Sequence, residues 1–299
     1  MASGLLTTTL MPLTNALSID VEDYFHTEAM SAVAPRSRWG EFTSHVETNT
    51  CSLFELLAKY DVKATFFFLG WVAERYPQLV RQACVSGHEV GCHSYWHRRV
   101  SALSPEEFRE DTYRAKSVIE SLVGNAIYGY RAPSFSITSS VTWAYRILEE
   151  LGFRYDSSLN PVHHPLYGNH SAPRHPFPVG DELQELPIAT WRILGQNVPV
   201  GGGAYLRILP YGLMKAGIKS INAAEQRAAV LYLHPWEIDD RQPRLAASWT
   251  SRMRQYTGLS TMKQKLQHLL QHFKLGTIYE NVYLPSIKEM GNVVSLVAN

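Results

Sequence analysis

The sequence predicts an α/β fold of βαβ units around a parallel sheet or barrel, and two observations carry that prediction. Short apolar runs alternate with longer segments of helical periodicity from residue 16 to residue 273, which is the mark of strands joined by crossover helices. The polar clusters fall at the C-terminal ends of those strands, where such folds build their sites. With 299 residues, 45% apolar and 18% charged, the chain can bury a sizeable core, either as one large α/β domain or as two small ones.

Taken in order, Ala16-Leu17-Ser18-Ile19-Asp20 reads as a buried strand that ends in the acids Asp20, Glu22 and Asp23. Leu53, Leu56, Leu57 and Tyr60 give a helix over 48–60, and the continuously apolar run 62–69 is a strand covered on both faces. A second helix is expected over 71–85, with Val72, Leu79 and Val80 inward. Ser104-Pro105-Glu106-Glu107 carries a serine N-cap, proline at the first helical position and a glutamate that closes a capping box. That helix should run to Val123, where Gly124 stops it. A strand over 126–130 leads to Arg131-Ala132-Pro133, a helix over 139–151 ends at Gly152, and a short strand over 153–155 ends at Asp156. Asp156 is either a turn residue or one that orients a catalytic group.

From 161 to 179 the composition shifts to proline, histidine and glycine, including His163, His164, His170 and His175. It reads as a long loop over the mouth of the barrel, its histidines solvated or facing substrate. Short strands follow over 185–188 and 228–233, the second ending at His234-Pro235-Trp236-Glu237. Met262, Leu266, Leu269, Leu270 and Phe273 form the apolar stripe of an outer helix. The expected organisation is an N-terminal extension over 1–15, a barrel over 16–285 with a loop insertion near 160–205, and a flexible tail over 286–299.

Composition excludes several functions. The formal net charge is +1, so no global field gathers nucleic acid or an anionic membrane. The cysteines Cys51, Cys84 and Cys92 are odd in number and widely spaced, which suits a reducing compartment rather than a disulfide framework. Cys92 should point into the core, opposite to His93. No apolar run approaches the length of a membrane span, and no secretion signal is read at the N-terminus. The expectation is a cytoplasmic protein, with peripheral membrane attachment left open.

The chemistry concentrates at Gly87-His88-Glu89-Val90-Gly91-Cys92-His93-Ser94-Tyr95-Trp96-His97. His93 and His97 are four residues apart, an offset that one helical turn brings to a single face. Neutral imidazoles are common zinc ligands, and a catalytic site of this kind also needs a third ligand. Three acids within four positions at Asp20, Glu22 and Asp23 repel one another unless a cation neutralises them. A divalent ion, with zinc favoured, is the expected cofactor. The spacing leaves both Glu22 and Asp23 open as its carboxylate: Glu22 keeps the face of Asp20 if the strand continues, whereas a turning chain favours Asp23, as does its shorter side chain, and Asp23 is the preferred reading.

This motif resembles the metal-binding motif of the polysaccharide deacetylases, including the nodulation-type chitooligosaccharide deacetylases. Ala64-Thr65-Phe66-Phe67, Arg131-Ala132-Pro133 and Leu231-Tyr232-Leu233-His234 resemble further motifs of that family in the same order. The stretch Ser18 to Phe25, and Gly201-Gly202-Gly203 followed by Tyr205, Arg207, Leu209, Pro210 and Tyr211, are similar to a branch associated with bacterial exopolysaccharide export. The resemblance implies a distorted parallel (β/α)7-type barrel that removes N-acetyl groups from a polysaccharide or its precursor. It implies Asp20 as general base, His234 as general acid and Arg131 as the partner that orients Asp20, with Tyr24, Pro133 and Trp236 on the substrate side. The family commonly has two adjacent aspartates where this chain has Asp20 and Val21, and this departure bears on the third metal ligand, Glu22 or Asp23. The expected partner is an N-acetylated carbohydrate. The rival functions are hydrolysis of a small non-sugar amide and a catalytically silent carbohydrate-binding barrel.

Overall fold

In the computed structural model, which describes residues 13–164 and 168–289, strand β1 (Asn15–Val21) lies between the strands Val230–Leu233 and Thr65–Phe68 in a curled sheet. Alternation along β1 divides its side chains between two environments. Leu17, Ile19 and Val21 face out into the core beneath the helices. Ala16, Ser18 and Asp20 have the opposite parity, and Ala16 packs in a second apolar cluster with Phe67, Tyr155 and Tyr232. That second cluster fills the interior of the curl, and Asp20 sits at its upper end.

The crossover helices follow as expected, beginning with α1 (Val46–Lys59), which leads to β2 (Thr65–Phe68). The single helix expected over 71–85 is two, α2 (Gly70–Arg75) and α3 (Pro77–Val85). Pro77 is the reason, because it disfavours helical geometry at Tyr76, which has φ −126° and ψ 57°. Strand β3 (Glu89–Cys92) precedes α4 (Pro105–Val123), whose capping box forms between Ser104 and Glu107 and whose end is left-handed Gly124. Then come β4 (Gly129–Tyr130), α5 (Trp143–Glu150) and β5 (Tyr155–Asp156), all shorter than the sequence suggests.

The region near 160–205 is less of a loop than expected. It holds β6 (Phe177–Pro178), β7 (Gln184–Glu185) and a hairpin of β8 (Thr190–Ile193) and β9 (Gln196–Pro199). Leu194 and Gly195 turn the hairpin with positive φ at both positions, the requirement of a two-residue turn that glycine meets easily. Helices α6 (Ala204–Ile208) and α7 (Tyr211–Ala224) lead to β10 (Val230–Leu233). Helices α8 (Trp249–Tyr256) and α9 (Leu259–His272) and strand β11 (Leu275–Gly276) follow.

The hydrogen-bonded order is β10-β1-β2-β3-β4-β5-β7-β6, parallel except for the β6–β7 pair, with β11 also beside β1. The curl is completed without a regular strand: Ala189 donates to the carbonyl of Val230, and Tyr232 to that of Gly201. Gly202 continues this seam at φ +133°, and a Cβ there would lie 1.8 Å from the Tyr232 carbonyl oxygen. Gly91 is equally constrained, since a Cβ would meet the inward ring of Phe67 at 2.6 Å. Residues 284–289 are helical and Ser286 is buried against Gln184 and Tyr283. The packed region therefore extends past residue 285 into the expected tail; the tail from 290 and most of the expected extension, 1–12, lie outside the described residues.

Candidate metal centre and active site

Parallel register places the ends of five strands on one rim. Asp20 ends β1 opposite Phe67, His93 follows β3, Arg131 follows β4, Ser157 follows β5 and His234 follows β10. Asp20, His93 and His234 line a cleft of about 480 Å³ together with Glu22, His97 and Trp236, whereas Arg131 and Ser157 are buried outside its lining.

Glu22, His93 and His97 offer one ligand atom each, all within 4.8 Å of one another. The carbonyl oxygen of Arg131 lies 2.8 Å from His93 Nδ1. A carbonyl only accepts, so Nδ1 carries the proton and Nε2 is left with its lone pair. Burial pushes the His93 pKa down to about 4, which keeps the ring neutral as a ligand must be. Burial by itself would raise the Glu22 carboxyl, but His97 and His234 hold it far below the usual range. Its Oε2 is buried without a hydrogen bond, although His97 Nε2 is only 2.7 Å away. An ionised, orphaned carboxylate oxygen beside two imidazoles fits a divalent cation.

The two histidines are not on a helical turn. Residues 93–97 form a loop in which Ser94 and His97 have positive φ. Asp111 of α4 holds that loop, its two carboxylate oxygens accepting from the backbone N–H groups of Tyr95 at 2.7 Å and Trp96 at 3.1 Å. Asp111 was not a sequence candidate, because nothing local in α4 relates it to the histidines.

Asp23 is not part of this cluster. Its Oδ2 accepts from the Ser44 hydroxyl at 2.7 Å and from the backbone N–H groups of His45 and Val46 at 2.8 and 3.1 Å, while Oδ1 accepts from Tyr24 N–H. The carboxylate is thus spent on the N-terminus of α1. Glu22 stays on the face of Asp20 and stands with the two histidines, its Oε1 accepting from Trp236 Nε1 at 3.3 Å.

Arg131 is fully buried. Its Nη1 donates to Asp20 Oδ1 at 2.8 Å and to Ser18 Oγ at 2.6 Å, whereas Nε and Nη2 donate to the carbonyl and hydroxyl of Ser157, each at 2.9 Å. The guanidinium therefore does not grip Asp20 with both arms; it splits between β1 and the end of β5. Ala132 is extended, as the following proline requires. Its N–H donates to Ser158, whose hydroxyl in turn bonds Asp156. Asp156 accordingly supports the Arg131 segment from behind and does not enter the cleft.

His234 Nε2 faces the cleft, 3.4 Å from Glu22 Oε1 and 3.9 Å from Asp20 Oδ2. Its Nδ1 is 2.9 Å from Glu237 Oε2, and Glu237 is paired with buried Arg207 at 2.7 Å. Burial alone would lower the His234 pKa, but Glu237 and Glu22 outweigh it and push the group up to about 9. Glu237 lies three residues along a tight turn from His234 and also accepts its backbone N–H; that spacing was the available signal for it. Arg207 had none beyond its place in the glycine-triplet stretch.

Trp236 lines the cleft and stacks on His234, with ring centroids 5.3 Å apart. Tyr24 is buried with its hydroxyl on the Thr43 carbonyl, and Pro133 is buried beneath Ser134 and Phe135, so neither lines the cleft. The cleft wall there is Ser134 and Phe135, both with positive φ. Of the four loop histidines His164 lines the cleft, while His163 and His170 stack in a separate cavity and His175 is exposed. Cys92 is buried on the opposite side of its strand from His93.

Fold and site together define a curled parallel α/β barrel with a Glu–His–His triad of metal-ligand types flanked by a carboxylate and an imidazole. Residues 39–155 match the family model for polysaccharide deacetylase, and residues 157–283 match a second one, described as a domain of unknown function (DUF3473). Over residues 39–155 the chain is therefore similar to polysaccharide deacetylases. A Bacillus cereus peptidoglycan-N-acetylglucosamine deacetylase is 31% identical over 96 residues, 32% of this chain and 35% of that protein. A Helicobacter pylori peptidoglycan deacetylase is 31% identical over 107 residues, 36% of each chain. The matched stretches thus span about a third of the length of these curated relatives. A solved Mycobacterium smegmatis chain assigned to polysaccharide deacetylases shares the fold at TM-score 0.56 and 19% identity, over 95% of this chain and 96% of that one.

Proposed function

We propose that this protein is a metal-dependent hydrolase that removes N-acetyl groups from sugar units of a polysaccharide or its precursor. The observation that carries the reading is the placement of Asp20 and His234 beside the triad of Glu22, His93 and His97, in one cleft. A divalent cation at the triad, zinc by its ligand types, supplies a more acidic water and polarises the acyl oxygen.

The chain's own residues do the rest. Asp20 Oδ2, the oxygen not held by Arg131, takes a proton from the attacking water. His234 Nε2 donates a proton to the amide nitrogen as the C–N bond breaks, so that acetate and a free amine leave. Such groups contribute typically ~10²–10⁴-fold each. Arg131 fixes Asp20, Glu237 keeps His234 charged, and Trp236 orients both His234 and Glu22. The aromatic wall of Phe135, Tyr205, Tyr232 and Trp236 suits the faces of sugar rings. Relatives named for peptidoglycan and N-acetylglucosamine point to an N-acetylated sugar, and the glycine-triplet stretch favours an exopolysaccharide as its source. The test is acetate release from N-acetylated oligosaccharides by metal-stripped and zinc-reconstituted protein. Release that needs zinc supports the reading; no release from any N-acetylated sugar by zinc-loaded protein refutes it.

A further inference from the structure

A second cavity, of about 420 Å³, lies beside the cleft and shares Glu28, His97 and Arg99 with it. Arg36, Arg98, Trp39 and His26 also line it, so three arginines face a single carboxylate. That carboxylate is weakly engaged: Arg99 lies 3.5 Å from Glu28 with both side chains about a third exposed, a geometry of little worth that a better anion can displace. Arg98 has its partner, Glu107, outside the lining. Arg36 is in no ion pair among the described residues, and its pKa is lowered first by burial and then by the charge of Arg98. Arg36 and Arg98 are thus held near each other on this wall, with Glu28 the one carboxylate in its lining.

His26 supplies an independent sign. It is 3% exposed, and its Nδ1 accepts from the Asp23 N–H at 2.9 Å. The ring proton must therefore sit on Nε2, which is buried without a hydrogen-bond partner among the described residues. The neutral imidazole packs against the face of Trp39 at a centroid distance of 4.2 Å. A buried donor without an acceptor costs stability, and here it lines the same cavity as the three guanidinium groups.

We propose that this cavity is an anion subsite that takes a carboxylate or phosphate group on the sugar unit next to the one whose N-acetyl group enters the metal centre. The proposal rests on the deacetylase reading for its substrate. Guanidinium forks match both anions in a way that a lysine would not, and His97, common to both cavities, puts the subsite immediately beside the triad. Uronic acids and phosphate-bearing sugars share this chemistry.

The experiment is calorimetric titration of the full zinc-loaded chain with three N-acetylated tetrasaccharides of equal length: one neutral, one with alternating uronate units, one with a single phosphate ester. The wild-type protein should bind at least one charged ligand about tenfold more tightly than the neutral one at low salt, the advantage shrinking as salt is raised. The tighter of the two charged ligands identifies the anion. In the Arg36→Gln/Arg98→Gln double variant the advantage should vanish while affinity for the neutral tetrasaccharide is retained, which also shows that the variant is folded. Equal affinity for all three ligands, or a charge preference that survives the double substitution, overturns the subsite. Charge-selective binding without acetate release from any ligand refutes the deacetylase reading and leaves the subsite standing.

Discussion

His93 donates from Nδ1 to the backbone carbonyl of Arg131 across 2.8 Å, while the side chain of Arg131 holds Asp20 Oδ1 at the same distance. One residue thus sets the tautomer of a candidate metal ligand through its main chain and the position of the candidate base through its side chain. The two effects are separable by mutation, since only the second depends on what the side chain is.

Arg131→Lys should therefore retain stoichiometric zinc and lose activity. A lysine keeps the charge but cannot reach Asp20, Ser18 and Ser157 together. A displacement of Asp20 by about 1 Å is enough to lower kcat/KM on the order of 10²-fold. Metal analysis alongside steady-state kinetics checks this. Arg131→Ala is the harsher change, leaving Asp20 buried without its partner, and should cost about 3–5 kcal/mol of folding stability.

The ligand set makes a second prediction. Glu22→Gln, His93→Ala and His97→Ala should each abolish tight zinc binding, measured after dialysis against a weak chelator. Asp23→Asn should keep the metal and instead lower stability by about 1–2 kcal/mol, the worth of a helix cap, read from thermal unfolding of metal-free protein. The reverse pattern, metal lost in Asp23→Asn and kept in Glu22→Gln, would move the carboxylate ligand to Asp23.

Asp111 tests whether the 93–97 loop is held from α4. In Asp111→Ala the N–H groups of Tyr95 and Trp96 lose their acceptor, and His97 loses the brace of its loop. Zinc affinity should fall on the order of 10–100-fold, as for other residues that support ligands. Unchanged affinity by competition titration would show that the loop keeps its shape unaided.

Much of this arrangement was legible in the sequence because it is local. Strand periodicity placed Asp20, His93, Arg131 and His234 at strand ends, and the capping box at Ser104 and the buried apolar stripe of α9 were written in nearby residues. What was not legible depends on contacts between distant segments. Which of Glu22 and Asp23 joins the two histidines turned on Ser44, His45 and Val46, which claim Asp23 for α1. The helix geometry expected for His93 and His97 gave way to a loop because Asp111 satisfies its backbone. Tyr24 and Pro133 lie in the right motifs but turn inward, and Ser134 and Phe135 take the cleft wall through positive-φ conformations that residue type does not announce. The β8–β9 hairpin was missed because Leu194-Gly195 is not one of the strong turn pairs.

The pair of His234 and Glu237 makes the last prediction, one of pH dependence. In the folded protein burial works against the imidazolium, but Glu237 and Glu22 raise His234 from its ordinary 6.5 to about 9. A raised pKa means that the folded state binds the proton more tightly than the unfolded chain does. The stabilisation is fully present below about pH 6.5 and is lost as pH rises through about 9. For catalysis the same shift keeps the proposed acid protonated across neutral pH. Glu237→Gln preserves the shape and can still accept from Arg207, but it removes the charge that holds the proton on His234. The basic limb of kcat/KM, which reports the free enzyme's acid, should therefore move to lower pH, with little change in rate at pH 6 and a growing deficit above pH 7. Zinc content should not change, since Glu237 does not touch the triad. A uniform loss of rate at every pH, with the basic limb where it was, would make Glu237 a packing residue and require another origin for the charge on His234.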